Sequence, residues 1–386
     1  MHMEEYLQSI LPSREDVDRF ITKAGPDGLQ PNRGWTYDAE LGWVHANAVH
    51  ERDGVGSTRT FYHYEPDGAR RVVQGAGEPC RIHAYGNSMT HCDQVNDGET
   101  WAEFLAAHLQ EPIRNYGVGG YSVYQAFRRM KKIHREGTHA ASHVILDIFE
   151  DDHFRNLDSW RRLRHGRGSQ CGYTLPHVRV HVGKGTCTEH ENFIQARDDV
   201  MKLCDLDYVC QRFKHDPILG LVLATKGSQD VPPDQIDPVP ISFGLSPQLV
   251  SDDDAGRRVR KTHEEAALFA TRRVVQWVED FCRDTNKKLL VFLSFGMRNL
   301  IPILEGGPRW DQGFADWIQT RSFPSLDMGA RFHEAFGASG APSPEAFLKP
   351  YFNGHHTPLG NFFTAWAIKD AVVQWLDPRP RPYRGA

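Results

Sequence analysis

Apolar residues along this chain follow two alternating rhythms. Residues 82–85, 144–149 and 288–294 are short apolar runs with the length and branching of buried strands. Between them, Trp101, Phe104, Leu105, His108 and Leu109 recur at helical spacing after the polar stretch Asp97-Gly98-Glu99-Thr100. Val123, Phe127, Met130 and Ile133 do the same from a start at Ser122 to a stop at Gly137. Thr262-His263-Glu264-Glu265 reads as a capping box that opens a long helix through Phe281. A last short strand is expected over 323–328 and a closing helix over 358–376. Strands that alternate with helices in this way predict an α/β fold with a parallel sheet covered on both faces.

Two stretches break the rhythm. Near the start, Ser13-Arg14-Glu15-Asp16 caps a short helix within residues 4–24, with Val17, Phe20 and Ile21 at helical spacing, and Gly25-Pro26-Asp27-Gly28 ends it. Residues 35–73 are β-rich, and strands over 58–64 and 69–73 flanking the turn Glu65-Pro66-Asp67-Gly68 predict a hairpin in front of the main sheet. Residues 155–260 hold a basic run (Arg155, Arg161, Arg162, Arg164, Arg167), an alternating stretch over 175–181 and a Pro-rich loop over 231–247. They are expected to be an insertion over the functional end of the sheet, where loops lengthen most freely. The expected organisation is an N-terminal extension over 1–78 and a main domain over 79–386 that carries the insertion.

A chain of 386 residues can bury a full core. Its 45 basic and 50 acidic residues give a net charge of -5, which provides no general attraction to nucleic acid or anionic membranes and points to a small-molecule partner. The start lacks a basic region followed by an apolar run, and no stretch approaches the ~18 apolar residues of a membrane span. Seven widely spaced cysteines suggest reduced thiols. A cytoplasmic location is the expectation.

Candidate chemistry concentrates in residues 85–120. Tyr85-Gly86-Asn87-Ser88-Met89-Thr90 ends an apolar run in a turn toward a helix, which lifts a hydroxyl to the carboxyl end of a strand, where open α/β sheets bind ligands. Asn115-Tyr116-Gly117-Val118-Gly119-Gly120 follows. These two stretches resemble the first blocks of the SGNH (GDSL-type) hydrolases, Gly-Asp-Ser-x-Thr and Asn-x-Gly-x-x-Gly. Phe149-Glu150-Asp151-Asp152 is similar to their third block, Gly-x-Asn-Asp. Asn353-Gly354-His355-His356-Thr357-Pro358-Leu359-Gly360 resembles the last, Asp-x-His or Asp-x-x-His with a Gly five residues on, and that spacing selects His355 over His356. The four blocks stand in the family's order. The resemblance implies a three-layer, flavodoxin-like sandwich around a short parallel sheet, with Ser88 as nucleophile and His355 as its base. It also implies oxyanion donors at the backbone of Ser88 and Gly120, and no organic cofactor.

Three positions depart from the family pattern: Asn87 and Asn353 stand where it has Asp, and Asp151 stands where its oxyanion Asn belongs. A carboxylate aimed at an oxyanion repels it, and loss of one donor costs about 2.7–4 kcal/mol. Asn353 can hold an imidazole but supplies no charge. Three readings stay open. The third block shifts by one, bringing Glu150 or Asp152 to the site; burial protonates Asp151, which then donates; or Asp151 pairs with Glu150 or Asp147 as in sugar-cleaving enzymes. The exchange at 151 and 353 would move negative charge from behind the imidazole to its substrate side. His356 and Arg155 are further substrate-binding candidates. The Arg run is expected to be a solvated face, and if it lined the cleft it would suit a carboxylate or sulfate.

His181, Cys187, His190, Cys204 and Cys210 are zinc-ligand types, but their spacing is looser than zinc sites use, and no metal is expected. The function expected is a serine esterase or deacylase acting on an acylated carbohydrate or similar small polar molecule. The alternatives are a glycosidase-like enzyme using Asp151 on the same fold and a non-catalytic binding protein.

Overall fold

The computed structural model of the chain describes residues 2–21, 30–31, 35–137, 139–226, 237–248, 250–251 and 254–384. The expected break at Gly25-Pro26-Asp27-Gly28 and residues 231–236 of the Pro-rich loop lie outside the described residues. The chain divides into two compact units, one of Met1–Lys23, Thr36–Val44 and His153–Val274, the other of Ala24–Trp35, His45–Asp152 and Val275–Ala386. The first 78 residues contribute to both.

The second unit is built on five parallel strands: β1 (Ile82–Tyr85), β2 (Ile113–Asn115), β3 (His143–Phe149), β4 (Lys288–Ser294) and β5 (Ser325–Asp327). Their spatial order, β2-β1-β3-β4-β5, is a doubly wound order that changes direction between β1 and β3. Ile82, Ala84, Val144, Ile145, Leu146, Leu290, Val291 and Phe292 are buried, which explains why these strands read as continuous apolar runs. Tyr85 pairs with Leu146, and β3 runs on to Phe149 opposite Ser294. The chain leaving β1 therefore turns beside the last residues of β3.

Helix Trp101–Leu109 starts at Thr100, whose hydroxyl accepts from the Glu103 amide, and helix Val123–Glu136 opens with a Ser122/Gln125 capping box. Trp101 meets Phe292 edge-on at 5.3 Å, locking the first of these helices onto β4. Helix Pro358–Trp375 packs against the same helix.

The hairpin expected over 58–73 forms around its turn, with Tyr64 and Arg70 bridged, but its first arm pairs further along with another strand. The turn is present, with the Glu65 amide donating to Ala69 O at 2.8 Å, but Thr60–Tyr62 pairs with Ala48–His50. Arg70 bridges both ways: it pairs with Tyr64 across the hairpin, where the Arg71 amide donates to His63 O at 2.9 Å, and its own amide donates to Asn115 O at 2.8 Å, at the end of β2.

In the first unit, helices Met3–Ile10 and Arg14–Ile21 replace one expected helix, and Ser13 and Asp16 cap the second reciprocally. Helix Ala255–Asp284, which belongs to this unit up to Val274, begins before Thr262. Asp254 accepts from the Arg257 amide at 2.7 Å, and the Thr262 hydroxyl turns back to Arg258 O, so the expected capping box lies inside the helix. The basic run is not a solvated face. Arg161 and Arg164 clasp the buried Asp158, and Arg162 and Arg167 donate to Ile10 O and Ser9 O. Strands His177–His181 and Thr186–His190 pair around a short turn. No helix of the described residues is long and apolar enough to cross a membrane, and the seven cysteines are free.

Candidate active site

All the residues of this site belong to the second unit. After β1 the chain makes a turn that tolerates no side chain at Gly86, where a Cβ would lie 2.0 Å from Thr90 Oγ1 and 2.8 Å from Asp147 O. Asn87 then caps a one-turn helix, Ser88–His91, its Oδ1 accepting from the Met89 amide at 2.7 Å. Its Nδ2 donates to Asp152 Oδ2 at 2.5 Å, and Asp152 also accepts from the Phe149 amide at 3.0 Å. Asp152 is buried and braces this turn; the amide at 87 is explained by the carboxylate it faces.

Ser88 Oγ lies 2.9 Å from His355 Nε2. Among the described residues the Ser88 amide has no hydrogen-bond partner, as an oxyanion donor requires. His355 sits in a tight antiparallel pair, Phe352–Asn353 with His355–His356, that turns at Gly354. Its Nδ1 meets Gln94 Oε1 at 3.1 Å, and its backbone amide donates to the same oxygen at 2.8 Å. Nδ1 therefore carries the ring proton, and Nε2 is left to accept from the Ser88 hydroxyl.

Gln94 is held in place for this task. Its Nε2 donates to Asp53 O at 3.1 Å, and its amide donates to Tyr62 Oη, which in turn donates to Asp53 Oδ2 at 2.6 Å. Cys92 and Gln94 have φ of 63° and 72°, in the left-handed region that most side chains avoid. The buried Arg70 stabilises that backbone by donating to the carbonyls of His91, Cys92 and Val95 at 2.5, 2.7 and 2.5 Å. At Gly354 a Cβ would come within 2.7 Å of Gln94 Oε1, so the missing side chain lets glutamine approach.

Among the described residues the carboxylate paired with His355 is Asp93, whose Oδ2 lies 3.8 Å from Nε2. Burial alone would raise the Asp93 pKa, but its hydrogen bond to His91 Nδ1 and the imidazoles of His91, His355 and His45 hold it well below the usual carboxylate range. Burial pushes His91 below its ordinary value and Tyr64 well above its own. The Tyr64 hydroxyl thus donates to neutral His91 Nε2 at 2.6 Å, and His91 Nδ1–H donates to the Asp93 carboxylate. His45 stacks over His91 at 4.1 Å, and its Nε2 accepts from the Gly119 amide at 2.9 Å.

His45, His91 and Asp93 bring ligand atoms within 4.8 Å of one another, close enough to suggest a metal. The geometry speaks against it. Imidazole lone pairs lie in the ring plane, and two rings stacked at 21° cannot aim theirs at one ion about 2 Å from both. Among the described residues no other such group occurs, so His181, Cys187, His190, Cys204 and Cys210 do not gather as a ligand set.

The other expected site residues fall as follows. Gly120 and Asp151 follow the carboxyl ends of β2 and β3, but Asp151 is not among the hydrogen-bond or ion-pair partners of Ser88 or His355. Asn353 is exposed, its amide donates to Asp53 O at 3.5 Å, and it does not orient His355. His356 is buried among Phe332 and Phe352, where burial and then His355 push its pKa down to about 3. It faces the core rather than a substrate. Arg155 lies in the first unit. Glu150 turns toward the loop after β4, accepting from the Gly296 amide at 3.4 Å, and burial raises its pKa to about 7. Beneath the turn, Asp147 accepts from Thr90 and Ser294 at 2.9 and 2.6 Å, and burial raises it likewise to about 7.

Asp93, Gln94, His91, Tyr62, Tyr64 and Arg70 did not emerge from the sequence as site residues. The available signal was the cluster His91-Cys92-Asp93-Gln94 directly after the Ser88 turn. No family model matches the chain, and no curated protein matches its sequence.

Proposed function

We propose that this chain is a serine esterase or deacylase of the SGNH type, with three layers around its parallel sheet, that removes an acyl group from a carbohydrate or similar small polar molecule. The observation that carries this reading is the 2.9 Å contact of Ser88 Oγ with a His355 Nε2 whose ring is already committed, through Nδ1, to Gln94. Ser88 attacks the ester carbonyl as its proton passes to Nε2. The oxyanion that forms is met by the Ser88 amide and, by the family resemblance, by that of Gly120. Collapse transfers the proton from His355 to the departing alcohol and leaves acyl-Ser88, which water cleaves by the same steps in reverse.

The imidazolium needs a counter-charge that a glutamine cannot supply. Asp93 at 3.8 Å provides it, an interaction of about 4 kcal/mol at an effective dielectric near 20. Charge on the Nε2 side was the expectation attached to Asp151, and in this reading Asp93 carries it. The seven free cysteines suit a reducing compartment.

Turnover of acetylated sugars and aryl acetates, compared with aryl glycosides, tests the proposal. Ester cleavage that falls about 10³-fold or more in Ser88→Ala is the expected result. Ester cleavage that survives in Ser88→Ala, or cleavage of glycosides alone, would overturn it.

A further inference from the structure

The two oxygens of Asp93 are in different situations. Oδ1 accepts from His91, whereas Oδ2 accepts no hydrogen bond among the described residues. Its neighbour His355 Nε2, at 3.8 Å, is beyond hydrogen-bond range and has its lone pair engaged by Ser88. The side chain is 25% exposed, and Oδ2 lies beside the partly exposed Gly119, where a Cβ would come within 3.3 Å of it.

The protein's own donors around this oxygen are committed. Gln94 Nε2 and Tyr62 Oη both donate to Asp53, and the Tyr64 hydroxyl donates to His91. The Gly119 amide is taken by His45. An ionised oxygen in a crevice with no protein donor is a strong acceptor, and the donor must come with the ligand or from water. Oδ2 and Ser88 Oγ both neighbour the same atom, His355 Nε2. An alcohol group whose ester oxygen is at Ser88 thus has its adjacent carbon's substituent within reach of Oδ2.

We propose that Asp93 Oδ2, beside Gly119, forms a subsite for a free hydroxyl next to the acylated oxygen, so that the enzyme selects partially acylated polyols. This rests on the esterase reading above. A neutral hydroxyl suits the site better than an ammonium, which would compete with the His355 imidazolium for the same charge, and an anionic substituent is repelled.

The test compares kcat/KM of the full chain for ethylene glycol monoacetate and for 2-methoxyethyl acetate, which keeps the oxygen but lacks the donor. Wild type should prefer the hydroxyl compound by about 10- to 100-fold, the worth of one hydrogen bond to a charged group. In Asp93→Asn, and in Gly119→Ala, where a methyl would crowd Oδ2 at 3.3 Å, the preference should shrink toward unity. A wild-type ratio near one, or a ratio that persists in both variants, would overturn the subsite. So would failure to cleave either ester while Ser88 still reacts with a fluorophosphonate. Absence of both cleavage and labelling would overturn the esterase reading itself and the subsite with it.

Discussion

His355 Nδ1 and Gln94 Oε1 meet at 3.1 Å, so the imidazole is oriented by a neutral amide rather than a carboxylate. Orientation and charge, which one Asp usually supplies together, are divided here between Gln94 behind the ring and Asp93 at its Nε2 edge.

That division predicts different losses. Gln94→Ala frees the ring to adopt the wrong tautomer and should lower kcat by about 10²-fold or more. Gln94→Glu restores an acceptor at the same place and should recover most of it. Steady-state kinetics on an aryl acetate separates the two, and equal losses would show that Gln94 only supports the loop.

Gly354→Ala should reproduce the Gln94 defect while keeping both Ser88 and His355 in the sequence. Gly354 has φ of 81°, and the new Cβ would lie 2.7 Å from Gln94 Oε1. The expected signature is a fall in kcat with KM little changed, alongside a loss of roughly 1 kcal/mol or more of stability in urea.

How far the sequence reached can be judged at these positions. The parallel sheet and the turn at Ser88 were legible because each rests on local pattern, apolar runs and a Gly-x-Ser turn, whereas the preference for His355 over His356 came from the resemblance to the last SGNH block. Gln94 was not. Its role depends on a contact across 261 residues and on a left-handed backbone that Arg70 stabilises from another strand region. Asn353 looked suited to orient His355 because it stands where the SGNH pattern has its Asp. The two residues instead face each other as a cross-strand pair around Gly354, and the Asn amide goes to Asp53.

Asn87 and Asp152 should behave as a coupled pair. Asn87→Asp would set two carboxylates at 2.5 Å and lower the melting temperature, and Asp152→Asn in the same chain should restore it. A double-mutant cycle in urea is expected to show a coupling of about 1–3 kcal/mol. Simple additivity would mean that the turn rests on other bonds.

Asp147 makes stability depend on pH with a definite sign. Its folded pKa of about 7 lies above the free Asp value of ~3.9, so the folded state holds the proton more tightly. Stability should therefore fall as pH rises from about 4 to 7, by up to roughly 4 kcal/mol, and level off above that. Asp147→Asn should flatten this slope in urea unfolding measured at several pH values. A slope unchanged in the variant would assign it to Glu150, which titrates in the same range.

Ser88 is proposed to be a nucleophile activated by His355. The most direct test is reaction of the intact chain with a fluorophosphonate, followed by mass spectrometry of the peptide around Ser88. One adduct is expected, on Ser88, that is lost in Ser88→Ala and forms at least about tenfold more slowly in His355→Ala. No adduct on wild type, or an adduct on another residue that persists in Ser88→Ala, would contradict it.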